Sequence, residues 1–152
     1  MITGSCLCGG VRFEIAEAVG PFELCHCNRC RKVSGSAFAA MIGVRTRDFH
    51  FVHGQDLIAT YEAPLLEAPP PYRASFCRRC GSPVPNPEPA AERFEIPVGL
   101  LESDPGRRPD KHIFVELKAP WHEITDPLPQ FDKTQLRTLR VAQARTRKDD
   151  RQ

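Results

Sequence analysis

The sequence predicts a mainly β fold of antiparallel sheets held by metal-binding cysteine knuckles, ending in a short C-terminal helix or tail. Three observations carry this expectation. Fifteen prolines lie between Pro21 and Pro129, too dense for long helices, because proline removes an amide donor and clashes with the preceding turn. Several short runs between them alternate apolar and polar residues with a period of two, the pattern of a half-buried strand. Seven cysteines fall into three tight clusters, Cys6-x-Cys8, Cys25-x-Cys27-x-x-Cys30 and Cys77-x-x-Cys80, and none is left over.

Along the chain, Gly10–Ile15 sets Val11, Phe13 and Ile15 against Arg12 and Glu14, as a strand with one wet face would. The apolar run Ala37–Val44 reads as a central strand. Asp48–Val52 and Leu57–Glu62 read as a strand pair joined by the turn His53-Gly54-Gln55-Asp56. Ala63–Pro71 reads as a loop, since its three consecutive prolines favour extended polyproline geometry. Pro83, Pro85, Pro87 and Pro89 mark a second irregular passage, and Arg93–Gly99 and His112–Lys118 complete the strands. From Lys133 to Gln152 there is no proline or glycine and many basic residues, with a weak apolar stripe at Leu136, Leu139 and Val141. That segment reads as a short helix fraying into a disordered, solvated tail. The expected organisation is one domain over 1–131 and a basic tail over 132–152.

The chain of 152 residues is 41% hydrophobic and 26% charged, which suits a soluble globular class. Its formal charge of +2 demands no nucleic-acid partner. No apolar run approaches a membrane span, and the N-terminus lacks the basic start and apolar core of a secretory leader, so no membrane partner and a cytoplasmic location are expected. Clustered cysteines of odd number fit metal binding in a reducing compartment better than a disulfide framework.

The clusters divide into a set of four and a set of three. Cys6 with Cys8 and Cys77 with Cys80 make two chelating pairs, and together they supply the four thiolates of a closed tetrahedral zinc. Gly81, after Cys80, suits the turn that wraps a thiolate. Cys25, Cys27 and Cys30 supply only three, so a zinc there keeps one position open, the arrangement of catalytic sites. His26 is expected to point away from its flanking sulfurs, although His26, His50, His53, His112 and His122 are all candidates to close the site. A zinc held by three thiolates prefers a soft sulfur donor, which points to a thiol substrate. Arg29, Arg31 and Lys32 lie beside the triplet, where they offset its negative charge and could attract substrate carboxylates.

Three segments carry a resemblance to a known family. They are Gly4-Ser5-Cys6-Leu7-Cys8-Gly9-Gly10-Val11, Cys25-His26-Cys27-Asn28-Arg29-Cys30-Arg31-Lys32-Val33-Ser34-Gly35, and Phe76-Cys77-Arg78-Arg79-Cys80-Gly81-Ser82. With Val98-Gly99-Leu100-Leu101, His112-Ile113-Phe114, Pro120-Trp121 and Leu128-Pro129-Gln130-Phe131, they resemble the glutathione-dependent formaldehyde-activating enzymes, a zinc-binding group related to centromere protein V-like domains. The resemblance implies a β-tent fold and two zinc ions. Cys6, Cys8, Cys77 and Cys80 would hold the structural one, and Cys25, Cys27 and Cys30 the catalytic one. It also implies carbon–sulfur lyase chemistry on an adduct of a small thiol, such as glutathione, and an aldehyde, with formaldehyde the family substrate. Arg31, Lys32 and Ser34 are the candidate substrate contacts. Members of that family often carry Gly-Thr-Leu-Asp where this chain reads Gly99-Leu100-Leu101-Glu102, which loses a hydroxyl and lengthens a carboxylate. The alternative reading is a non-enzymatic zinc scaffold whose triplet is closed by a histidine. A redox sensor that releases zinc on oxidation is a third. Paired strand edges would permit an oligomer.

Overall fold

A computed structural model describes residues 1–67 and 70–149, with side chains described as far as residue 146. The first half of the chain contains β1 (Ile2–Ser5), β2 (Arg12–Ile15), β3 (Ala18–Cys25), α1 (Asn28–Ser34), β4 (Ala39–Arg45) and β5 (Phe49–His53). Then come β6 (Ile58–Glu62), β7 (Arg73–Cys77), β8 (Arg93–Pro97), β9 (Lys111–Ile113), β10 (Gln130–Phe131) and α2 (Lys133–Asp149). The fold is mainly β, as expected. The chain forms two compact units, one of Met1–Phe22 with Ala40–Arg108, the other of Glu23–Ala39 with Pro109–Gln152. No helix among the described residues is long and apolar enough to cross a membrane.

In the first unit β1, β2 and β5 form an antiparallel sheet with β2 central. The alternation read from the sequence places Phe13 and Ile15 inward, both essentially fully buried, and each contributes about 1.5–3 kcal/mol of hydrophobic stabilisation. Phe49 stacks beside Phe13, Phe51 and Phe94 at centroid distances of 5.5, 4.9 and 5.1 Å. The antiparallel pair β4 and β8 buries Ile42, Val44 and Ile96 completely.

The expected hairpin between Asp48–Val52 and Leu57–Glu62 does not form. Both strands exist, but β5 pairs with β2, and β6 pairs with β7, with Ile58 opposite Cys77. Gly54 explains the divergence. It adopts φ 84° and packs so tightly on Gly10 that a Cβ would lie 1.9 Å from the Gly10 carbonyl oxygen. The turn therefore presses against the β2 entry and sends β6 elsewhere.

In the second unit, Glu23–Cys25 of β3 runs parallel to β9, and β9 runs parallel to β10, so antiparallel pairing is not universal. The expected strand over His112–Lys118 ends early because Phe114 adopts φ 56° and the chain enters a turn at Val115–Leu117. The C-terminal segment is helical as far as it is described, to Asp149, and is longer than the short fraying helix expected. Its start is a reciprocal cap. Asp132 Oδ1 accepts from the Gln135 amide at 2.8 Å, and Gln135 Oε1 accepts from the Asp132 amide at 3.0 Å. Leu136 is buried against Cys25 and Ile113, and Arg140 donates to the buried Glu23 carboxylate at 3.0 Å. Ala68 and Pro69 of the expected loop, and residues 150–152 of the expected tail, lie outside the described residues.

Candidate metal centres

The first centre gathers Cys6, Cys8, Cys77 and Cys80, whose sulfurs all lie within 4.8 Å of one another. Cys6 and Cys8 sit on a tight turn after β1 rather than on an extended segment. The Cys6 amide donates to Val11 O at 3.0 Å and the Gly9 amide to Cys6 O at 2.9 Å. Cys77 ends β7, and the chain curls so that the Gly81 amide returns to Cys77 O at 2.8 Å. The Leu7 amide donates to Ser82 Oγ at 3.0 Å and ties the two knuckles together.

The donor set fits zinc. Bonds of about 2.3 Å in a tetrahedron require sulfurs about 3.8 Å apart. Cys6 and Cys8 sulfurs are 3.5 Å apart, and those of Cys8 and Cys77 3.9 Å, far beyond the roughly 2.05 Å of a disulfide. The sulfurs are held by polar partners: the Val11 amide donates to Cys6 Sγ at 3.3 Å, and Cys80 Sγ lies in hydrogen-bond contact with Ser82 Oγ at 3.3 Å. The Ser82 hydroxyl, with the amides of Ser82 and Cys8, holds the Cys80 thiol down to about 5. The Gly10 amide favours the Cys8 thiolate, but the sulfurs of Cys6, Cys80 and Cys77 together with burial outweigh it and push Cys8 up to about 11. Four sulfurs this close cannot all ionise unless a cation joins them, which is what a bound dication supplies.

The second centre gathers Cys25, Cys27 and Cys30, again within 4.8 Å. Cys25 is the last residue of β3, and Cys27 caps α1, its sulfur accepting from the Cys30 amide at 3.4 Å. One helical turn then returns Cys30 to Cys27, the i, i+3 geometry that puts both side chains on one face. Gly35 closes α1 in the left-handed conformation. Here too the thiols split. Hydrogen bonds from Cys25 and Cys30, with the amides of Cys30 and Arg29, hold Cys27 down to about 2. Donation to Cys27 pushes Cys25 up to about 12, and its two neighbours raise Cys30 as well.

No histidine or carboxylate among the described residues joins either sulfur group. His50 pairs with Glu14 at 3.0 Å, and His53 donates to Gly9 O at 3.1 Å. His26 does turn away from the sulfurs. It is fully buried, and its Nε2 lies 2.8 Å from His112 Nδ1. His112 Nε2 in turn lies 3.0 and 3.2 Å from the Asp126 carboxylate oxygens. Phe38 and His122 pack on the His26 ring at 5.4 and 5.7 Å. Burial first, then His112, lowers the His26 pKa to about 4. Sequence reasoning missed this chain, because no spacing rule links positions 26, 112 and 126. The Asp126-Pro127 turn was its only local trace, and there the Leu128 amide donates to Asp126 Oδ1 at 2.9 Å.

The candidate substrate contacts lie along α1. Arg31 Nη2 donates to Asn28 Oδ1 at 2.6 Å, while Arg31 Nε is buried without a partner. Lys32 is exposed. The Ser34 hydroxyl donates to main-chain oxygens, those of Phe38 at 3.3 Å and Arg31 at 3.4 Å. Glu102 lies in the first unit, and accepts from Ser5 Oγ at 2.7 Å and from Arg12 Nη2 at 2.8 Å.

The sequence model of the glutathione-dependent formaldehyde-activating enzyme family matches residues 1–117. A Halomonas elongata protein, provisionally named a glutathione-dependent formaldehyde-activating enzyme, is 32% identical over 127 residues, spanning 82% of this chain and 81% of that one. The crystal structure of a Rhodobacter sphaeroides protein is similar with a TM-score of 0.49 and 25% identity, over 67% of this chain and 89% of that one. With the cysteine geometry above, the family match and the Halomonas relative place this chain in the glutathione-dependent formaldehyde-activating enzyme family.

Proposed function

We propose that this chain catalyses the reversible addition of the glutathione thiol to formaldehyde, and is a carbon–sulfur lyase in the cleaving direction. On addition, a sulfur lone pair forms the sulfur–carbon bond, the carbonyl π pair moves to oxygen, and the thiol proton ends on that oxygen. The product is S-hydroxymethylglutathione. The observation that supports this reading best is the sulfur triplet, to which no fourth donor side chain among the described residues adds itself.

Cys25, Cys27 and Cys30 would hold the catalytic zinc, and Cys6, Cys8, Cys77 and Cys80 the structural one. An all-thiolate donor set suits zinc and disfavours magnesium or calcium. At the triplet, zinc would supply a soft Lewis acid that favours the thiolate form of an incoming thiol. The chain's own part is to bind and orient. Lys32 offers an exposed ammonium, and Arg31 a guanidinium whose direction is fixed by Asn28. Both suit the carboxylates of glutathione. Ser34 completes the proposed contacts from the end of α1. We take 1–131 as the catalytic domain and 132–152 as an appended basic segment. Seven unbridged thiols suit a reducing cytoplasm.

The test is NMR exchange between formaldehyde and its thiol adduct, with glutathione and other thiols, before and after chelation. Zinc-loaded protein should speed exchange above buffer, and chelation should abolish the gain. Exchange no faster than buffer for every thiol tried would leave the scaffold reading in its place.

A further inference from the structure

Between the two outer sulfurs of the Cys25-His26-Cys27 knuckle sits a residue held from three directions. The His26 amide donates to Ile113 O at 3.0 Å, its ring is clamped by Phe38 and His122, and its Nε2 meets His112 Nδ1 at 2.8 Å. The hydrogen-bond chain runs in one direction only. The Asp126 carboxylate can only accept, so His112 carries its proton on Nε2. With His112 as the neutral ring, its Nδ1 then accepts, and His26 also carries its proton on Nε2. His26 Nδ1, buried and without a partner, is left with its lone pair. The chain begins at a side chain 43% exposed and ends at one fully buried beside the sulfurs.

We propose that Asp126 and His112 are positioning residues for the sulfur triplet. Acting through His26, they fix the ring, and with it the backbone that spaces Cys25 and Cys27. The inference rests on the reading that the triplet holds zinc. It extends that reading to the groups that keep the donors in place, a role that outer-shell partners commonly fill in metal sites. Asp126 makes the useful probe, because it is half-exposed and its replacement disturbs no core packing.

Two measurements test this. Long-range 1H–15N NMR of the zinc-loaded protein should find His26 and His112 both protonated at Nε2. His112 protonated at Nδ1 instead would overturn the chain. Competition with a chelator should show Asp126→Ala holding the triplet zinc at least about tenfold more weakly, with the affinity of the quartet zinc unchanged. Asp126→Asn, which keeps an acceptor for His112, should restore most of the affinity. Equal retention by wild type and Asp126→Ala overturns the positioning role alone. A wild type that binds no zinc at the triplet overturns both this inference and the site assignment. Loss of triplet zinc in Asp126→Ala from a protein that turns over no thiol adduct supports the positioning role and sinks only the proposed activity.

Discussion

Individual side chains divide sharply into those whose chemistry can be read from spacing and those whose partners arrive from elsewhere in the chain. The cysteine ligand groups belong to the first kind, since one- and two-residue spacings already limit where neighbouring sulfurs can reach. His26 belongs partly to the second: its turn away from the sulfurs follows from alternation, but its bond to His112 does not. Glu102 is a further case. Its longer arm, relative to the common family residue, reaches Ser5, Arg12 and Thr3 on the neighbouring strands. The Ser5 hydroxyl first, then Arg12, holds its carboxyl below the usual range. A lowered folded pKa stabilises above the unfolded value of about 4.3 and is lost as pH falls through the folded one. Glu102→Gln should therefore flatten the acid limb of the stability–pH profile measured by denaturant unfolding and lower its neutral plateau, the two profiles converging at low pH. An acid limb as steep as that of wild type would show the network to be inert. Gly54 supports a stronger expectation, because a side chain there meets both a left-handed backbone and the Gly10 carbonyl. Gly54→Ala should lose at least about 1–3 kcal/mol in the same assay, and a neutral result would mean that the turn relaxes away from β2.

At the level of elements, regular alternation was legible and pairing was not. Gly10–Ile15, Ala37–Val44, Leu57–Glu62 and Arg93–Gly99 each overlap a strand, with ends off by a few residues. β3 was missed because Gly20 and Pro21 interrupt it and its C-terminal half is buried on both faces, so no alternation remains. Phe114 ended β9 without warning, since its positive φ depends on the packing of its ring against the Cys25, Ile113 and Leu136 cluster. The length of α2 was legible in hindsight. Asp132-Lys133-Thr134-Gln135 carries the cap signature, and the residues beyond it are mostly good helix formers. Asp132→Ala should therefore cost about 1 kcal/mol and lower the helical circular dichroism signal. Leu136→Ala should cost more, about 2–5 kcal/mol, because it empties a buried position rather than a cap. The reverse order would show that α2 is held by its end and not by its docking.

Across the whole molecule, the two sulfur groups differ most in how much chain each one closes. Cys25, Cys27 and Cys30 lie within one strand end and one helical turn, so their geometry is framed locally by β3 and α1. Cys6 and Cys8 meet Cys77 and Cys80 across the length of the first unit, with Cys8 and Cys77 separated by 69 positions. Metal binding that exists only in the folded state adds its free energy to folding. Closing a long loop also removes more freedom from the unfolded chain than closing a short one. Loss of a ligand from the quartet should thus destabilise the first unit as a whole, where Cys6 and Cys77 also belong to a buried cluster with Val11 and Val84. Loss of a ligand from the triplet removes little that the local elements do not already hold. Cys77→Ser should unfold or lose most of its thermal stability, whereas Cys27→Ser should remain folded with one zinc fewer and no thiol–aldehyde exchange. Metal content by elemental analysis, read beside the unfolding midpoint of each variant, decides the matter. Equal collapse of both proteins would mean that the triplet too is architectural, and the division between a structural and a reactive sulfur group would have to be given up.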